Sequence, residues 1–568
     1  MCLHTIFIEK INVFIKNINY TNENQGVIMA NGKILDELLI IKGGRIMKKK
    51  VVSLLLCVAM AATLIAGCGK SSDNGKGSAS GAKTEKSDSL VMPVSATVTS
   101  LNGNLETMAE GAFQLAPYQD ELYYVDQDET RWYLADSCEI SEDGLTYTLK
   151  LKDNLKWHDG EAITADDVIF TFNCNLDTNN GAGFSNVVFV GEKQVKAEKV
   201  DDLTVKFTLP EVSASYYSLL GNLVLIPEHA FGGNTNIKSA DANLTDIGSG
   251  PYKLVEFKDG ESLVLEKFED YYGDEPQIEK IIFKVISDPS AQEVAFKNGE
   301  INFLTAASDN VVTEVEKTEG VALHTLAEGR VKYLAWNKYC PTWENRDAVK
   351  AVFMALNQEE IVKGAYGEHM GVAANSIFSN RNTFYDETVK GYEQNLDEAK
   401  KLAKSSGLAG KTIKLHYNTD RSFMEATALL IQEQLKAIDV NVELQGIDAN
   451  GFFDVVFTDQ ADYELYLNEY GAIGDPDNVV AGMLDGTWGI NVDTPQEILD
   501  LFEKARRTTD VEERTAIYKE VQQKASEAYL IYPIAYPSYC FATSDNLEGT
   551  EDLSTTPVFE DYTKLSFK

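Results

Sequence analysis

The chain has 568 residues, 44% hydrophobic, 24% charged and 10% aromatic, which excludes a disordered or fibrous protein and is too long for one hydrophobic core. With 88 acidic against 51 basic residues the formal net charge is −37, so nucleic acid and anionic bilayers would be repelled at long range.

Reading in chain order, residues 1–46 precede a complete export signal. They are expected to be leader translated from a misplaced start, since Lys42-Gly43-Gly44 can be encoded by a purine-rich ribosome-binding site; the alternative is a genuine extension. Residues 47–67 open with Lys48, Lys49 and Lys50, continue as an uninterrupted apolar run from Val51 to Ala66, and end in small residues. That run is short of the roughly twenty residues that span a bilayer, so it reads as a signal peptide. Ile65-Ala66-Gly67-Cys68 resembles a bacterial lipobox, which implies cleavage before Cys68 and a lipid anchor on its thiol. Residues 68–89 contain almost no apolar residue and read as a Gly/Ser tether.

From Leu90 the texture is strand-rich: Leu90 to Val98, Thr146 to Leu151, Leu203 to Leu209, Ser262 to Phe268 and Lys280 to Ile286. Apolar residues at three- and four-residue steps then predict helices over Ala348 to Tyr366, Leu396 to Gly407, Phe423 to Asp439 and Gln496 to Arg507. Strands Thr412 to Asn418 and Val440 to Ile447 alternate with them, which argues for α/β lobes.

Chemistry-bearing motifs are few. Cys138, Cys174, Cys340 and Cys540 are widely spaced; they allow three pairings or none, and buried free thiols are the preferred reading. His158, His229, His324, His369 and His416 are isolated, so no metal set can be built from them, and no cofactor is expected. Thr164 followed by Asp166 and Asp167 reads as a helix cap, and Asp475-Pro476-Asp477-Asn478 as a turn. No nucleophile motif, phosphate loop or dinucleotide fingerprint occurs in the exported chain.

One block is specific: LADSCEISEDGLTYTLKLKDNLKWHDGEAITADDVIFTF, Leu134 to Phe172. Its residues predict a strand, a turn at Glu142-Asp143-Gly144, a second strand, a turn at Trp157-His158-Asp159-Gly160 and a capped helix. The block closely resembles the signature of bacterial extracellular solute-binding proteins of family five, the dipeptide, oligopeptide and nickel type that serve ABC importers. Gly248-Ser249-Gly250-Pro251-Tyr252, Tyr271-Tyr272-Gly273, Phe296 to Ile301 and Tyr333 to Asn337 are similar to further segments of that family.

The resemblance implies an α/β, two-lobe periplasmic-binding-protein-like fold of type II, in the large cluster C form, with a small extra domain on the first lobe. Lobe 1 is expected in 90–120, 204–328 and 536–568, the small domain in 121–203, and lobe 2 in 329–535. It further implies a monomeric, lipid-anchored, extracytoplasmic receptor, without enzyme activity, that captures a peptide in the interlobe cleft and hands it to permease subunits. The same fold with an oligosaccharide or a metal chelate as cargo is the alternative; an extracytoplasmic hydrolase is a further one.

Site residues follow from the same resemblance. Dipeptide-binding members hold the ligand ammonium with an Asp at the position of Ala472, where a methyl cannot do so; either Glu469 or another acid replaces it, or the ligand is not a simple dipeptide. Arg421 falls near the family's carboxylate-binding Arg. Asn102, Asn337, Asn468, Tyr470 and Asp475 complete the expected ligand set; the tyrosines and asparagines of LYLNEYGAIG, Leu465 to Gly474, suit either a cleft or the packing of lobe 2.

Overall fold

The computed structural model describes residues 40–42, 45–47, 89–106, 109–126, 129–456, 463–471, 474–486, 492–550, 559 and 561–568. Contacts divide the chain into Met1–Lys83 and Thr84–Lys568. The described part of the first unit is one antiparallel pair, Ile40–Lys42 with Arg45–Met47. Among the described residues no helix is long and apolar enough to cross a membrane, and the expected signal run and Cys68 lie outside them. All other described elements belong to the second unit.

Three sheet systems organise that unit. The first has the order Tyr252–Lys258, Ser262–Lys267, Lys280–Val285 and Ser89–Val94, its last pair parallel. Alternate residues of these strands, Leu90, Met92, Leu263, Leu265, Ile281 and Phe283, fill one core, as a half-buried sheet requires.

The second is the four-stranded antiparallel sheet Lys196–Lys199, Thr204–Thr208, Thr146–Leu151 and Ala135–Ile140. The hairpin at its edge turns where predicted: Gly144 has φ +68°, a conformation glycine adopts without a Cβ penalty, and Ser141 Oγ donates to Asp143 Oδ1 at 2.6 Å. The following helix, Ala165–Leu176, carries the predicted cap as a full capping box. Thr164 Oγ1 accepts from Asp166 N, and Asp167 Oδ2 accepts from Thr164 N at 2.9 Å. The expected boundary at 203/204 falls inside this sheet. Thr204–Thr208 is hydrogen-bonded along its length to Thr146–Leu151, and Val205, Phe207, Leu209, Tyr216 and Leu220 all join the small-domain core. The chain therefore stays in this core beyond Thr204.

The third system is an eight-stranded mixed sheet containing Phe303–Thr305, Tyr532–Ser544, Arg330–Trp336, Leu465–Gly471, Thr412–Asn418 and Asn441–Ile447 in order, with Val321–Ala327 and Gly371–Ala373 also on Tyr532–Ser544. One face packs on Asp347–Ala355, Gln358–Tyr366, Leu396–Ser405 and Met424–Leu435; the other on Ala449–Val456, Pro476–Leu484, Gln496–Arg506 and Val511–Glu527.

Two predicted helices differ in detail. Ala348 to Tyr366 is two helices, because Leu356 leaves helical geometry (ψ 134°) and the Asn357 side chain caps the second, accepting from Glu360 N at 3.1 Å. Phe423 to Asp439 runs helical over Met424–Leu435, then tightens into a 3₁₀ turn that Asp439 ends at φ +60°. The four cysteines are free thiols, and Cys174 and Cys540 are buried.

Candidate ligand-binding site

Strands Asn441–Ile447 and Leu465–Gly471 both run parallel to Thr412–Asn418. In open α/β sheets ligands bind outside the carboxyl ends of parallel strands, because the loops that leave there are free to vary. At this edge lie the loop Thr419 to Phe423 and the end of Leu465–Gly471. The antiparallel strand Arg330–Trp336 begins at the same edge, with Arg330 opposite Gly471 and Lys332 opposite Glu469.

Strand alternation decides what meets there. Leu334, Trp336, Leu465 and Leu467 belong to the core on one face of the sheet, while Tyr333, Tyr466 and Tyr470 belong to the other. Period two places Lys332 and Glu469 on the first face, one step beyond the apolar residues. The Glu469 side chain, only 3% exposed, receives three cations: Lys332 Nζ on Oε2, Arg330 Nη1 on Oε1 at 3.3 Å and Arg421 Nη1 on Oε1 at 3.0 Å. Arg330 Nε also lies 3.2 Å from Glu328 Oε1. Burial pushes the Lys332 ammonium down to about 8; Glu328 opposes this, and Arg330 and Arg421 add to it.

Arg421 reaches the cluster from a constrained loop. Asn418 Oδ1 accepts from Asp420 N at 2.9 Å, Asp420 Oδ2 accepts from Ala449 N at 2.8 Å, and the loop closes at Phe423, whose φ is +69°. A bulky residue in the left-handed region is held there at a cost by its surroundings, here the Tyr366 ring 4.8 Å away. The Arg421 side chain remains 38% exposed, so this edge presents a guanidinium to solvent and can take an anionic group.

The other expected residues lie apart from this cluster or beneath it. Asn337 stands at the opposite end of its strand, where its Nδ2 donates to Tyr463 O at 3.2 Å and its Oδ1 accepts from Tyr339 N at 3.1 Å. Asn102 is buried in the first lobe, donating to Asn243 Oδ1 at 2.9 Å and accepting from Asn104 N at 2.9 Å. Asn468 is buried opposite Tyr333, and the buried Tyr470 donates its hydroxyl to Ile377 O. The turn expected at Asp475 is a helix N-terminus: Asp475 caps Pro476–Leu484 with proline in the first turn, and the same residue types serve both structures. Arg514 grips the Asp475 carboxylate through two nitrogens, and Arg506 grips Asp477 likewise at 2.8 to 3.0 Å. Ala472 and Cys68 lie outside the described residues.

The structure therefore brings Arg421 and Glu469 together and adds Arg330 and Lys332, which sequence reading missed. Their signal was present in Arg330–Trp336: two cations occupy positions that period two assigns to the core face, and a strand buries a charge there only against a partner.

Residues 130–491, more than half of the chain, match the family model of bacterial extracellular solute-binding proteins, family 5. This chain belongs to that family. The protein CtaP of Listeria monocytogenes, an ABC transporter substrate binding protein, is 34% identical, covering 85% of this chain and all of its own at a TM-score of 0.79. A protein named AppA from Clostridium difficile is 33% identical over 84% of this chain and all of its own, also at 0.79. The oligopeptide-binding protein AppA of Bacillus subtilis is 26% identical over 446 residues, 73% of this chain and 80% of that protein. The expected α/β two-lobe fold holds, and the family's members are extracellular solute-binding proteins.

Within that fold, Tyr532–Ser544 is the strand that joins sheet systems: Tyr532 and Ile534 enter one lobe-2 core, Tyr536 the other, and Phe541 the lobe-1 core. The chain crosses beside it at Glu328, whose N–H donates to Pro537 O at 2.9 Å, and at Gly329, with φ +71°. The cation cluster comes immediately after, at Arg330.

Proposed function

We propose that this chain is the substrate-binding lipoprotein of an ABC importer, capturing oligopeptides or peptide-like solutes between its lobes and delivering them to the permease. The observation that carries the reading is the half-exposed Arg421 guanidinium at the carboxyl edge of the parallel strands, beside the interlobe crossing at Glu328 to Arg330. Arg421 is then the contact for a ligand carboxylate, while extended ligand backbone pairs with main-chain groups of the cleft, a mode that gives affinity without reading sequence. The protein performs no chemistry; ligand bridging shifts an open–closed equilibrium that the permease reads.

The oligopeptide-binding relative supports peptide cargo. Glu469 fits an ammonium contact poorly, because three cations already surround it. Lipid anchoring rests on the Ile65 to Cys68 sequence; Cys68→Ser is expected to release the protein from membranes into the medium or periplasm, read by fractionation.

The test of cargo is thermal shift on the membrane-purified protein with di-, tri- and longer peptides, oligosaccharides and nickel chelates. A ligand at one hundred times its Kd stabilises by about 2.7 kcal/mol, a readily measured shift. Peptides are expected to stabilise without being consumed, and Arg421→Ala to weaken free-acid peptides by roughly tenfold or more. Stabilisation only by oligosaccharide or chelate would replace the peptide reading, and turnover of any ligand would end the binding-protein reading.

A further inference from the structure

Two arrangements of arginine on carboxylate occur in lobe 2. Arg514 on Asp475 and Arg506 on Asp477 each use two nitrogens of the guanidinium fork, and the Arg514 and both aspartate side chains are less than a tenth exposed. These hold helices together. At Glu469 the pattern differs. Arg330 and Arg421 each place one nitrogen on the same oxygen, Oε1, while Lys332 takes Oε2.

Contacts are also unevenly shared there. Arg330, Lys332 and Arg421 share two carboxylates, Glu328 and Glu469. Asp420, next to Arg421 in the chain, is exposed, accepts from the Ala449 amide and acts on Arg421 through space without an ion-pair contact. Side-chain exposure rises from 3% at Glu469 and 6% at Lys332 to 26% at Arg330 and 38% at Arg421, so Arg421 is the outermost cation of the cluster. A single-point, shared contact on a half-exposed arginine is the kind an incoming carboxylate can replace with a bidentate one.

We propose that Glu469 is a built-in competitor for the ligand's carboxylate: it holds Arg421 in the empty protein and yields it to an anionic ligand group, with Arg330 and Lys332 keeping Glu469 neutralised afterwards. Arg421 makes the site prefer ligands with a free carboxylate, and Glu469, restrained by Arg330 and Lys332, moderates that preference without touching the ligand. This rests on the peptide reading of the proposed function.

The experiment is calorimetric titration of the membrane-purified full-length protein with tri-alanine and with tri-alanine amide. Glu469→Gln alone would strand the buried Lys332 charge and could unfold the chain, so the first variant is Glu469→Gln with Lys332→Met, which removes both charges together. It is expected to bind the acid about tenfold more tightly than wild type and the amide unchanged. Arg330→Gln, at a partly exposed position, is expected to act the other way, because Glu469 then leans more fully on Arg421 and the acid binds more weakly. Unchanged or weakened acid affinity in the double variant overturns the competitor, as does an Arg330→Gln protein that binds the acid as wild type does. A wild-type protein that binds neither peptide overturns the peptide reading and the competitor with it. One that binds acid and amide equally, before and after both changes, overturns the competitor alone.

Discussion

Asp120 shows how a single buried carboxyl shapes pH dependence. Its Oδ2 accepts from the hydroxyls of Tyr271 at 2.9 Å and Tyr272 at 2.6 Å, and its N–H donates to Ser249 Oγ at 3.0 Å. Burial nevertheless pushes the carboxyl up to about 7, against both tyrosines and Lys152. The folded chain therefore holds a proton that the unfolded chain has released. Stability from this site is full below the ordinary aspartate range and is lost as pH rises through about 7. His158 works in the opposite direction. Burial pushes its imidazole down to about 4, and its ring is fixed as a neutral tautomer, Nδ1 accepting from Gly248 N at 3.1 Å and Nε2 donating to Gly250 O at 2.9 Å. The unfolded chain binds that proton first, so stability falls as pH drops from the ordinary histidine range toward about 4. Between about pH 4 and the ordinary histidine range the two slopes oppose and largely cancel, so Asp120→Asn, which can still accept from both tyrosines, is expected to leave the His158 slope alone and let the melting temperature rise with pH across that range. A pH series of thermal melts checks this; a pH dependence between about 4 and about 7 that the substitution leaves unchanged would contradict it. Histidine's structural role was legible from its isolation, whereas the Asp120 contacts were not, since Tyr271 and Tyr272 lie some 150 residues away.

At the scale of elements, local signals worked where a segment's own residues complete its structure. Thr164, Asp166 and Asp167 specify a helix start within four residues, and the capping box forms. Thr164→Ala is expected to cost about 1 kcal/mol in urea unfolding. Asp167→Ala should cost more, because Asp167 Oδ1 also accepts from Glu228 N at 3.0 Å and so ties this helix to a distant loop. Local signals failed where partners come from elsewhere. The 13-residue strand Tyr532–Ser544 contains Pro533 and Pro537, which ordinarily mark an edge or no strand at all. It is central here because a register shift beside Lys332 and Tyr333 accommodates the break, and Pro537 offers its carbonyl to Glu328. The helix Val511–Glu527 was missed for a related reason: its buried face includes Arg514 and Gln522, polar residues that period-counting rejects and that Asp475 and Ser376 satisfy.

At the scale of the whole molecule, the segment after the four-stranded antiparallel sheet meets the helix Gln496–Arg506. Ala214 N donates to Arg506 O at 2.9 Å, at the end of the helix whose Arg506 side chain grips Asp477. Binding that favours a closed arrangement should strengthen this contact, so hydrogen exchange at the Ala214 amide is expected to slow when the protein is saturated with ligand. Exchange that is indifferent to ligand would show that closure does not act through this contact. Arg514→Met, which leaves Asp475 buried and unpaired, should cost about 3–5 kcal/mol, and melts of lobe 2 would show it.

By itself the sequence determined the α/β alternation, the hairpin at Gly144, the capped helix at Thr164 and the family, because each depends on periodicity or on residues adjacent in the chain. It also singled out Arg421 and Glu469. Only the tertiary structure decided what those two contact. Glu469 meets Arg330, Lys332 and Arg421 from a different strand and a loop, between 48 and 139 residues away, and the sign of the resulting site is a sum over charges that no local pattern contains.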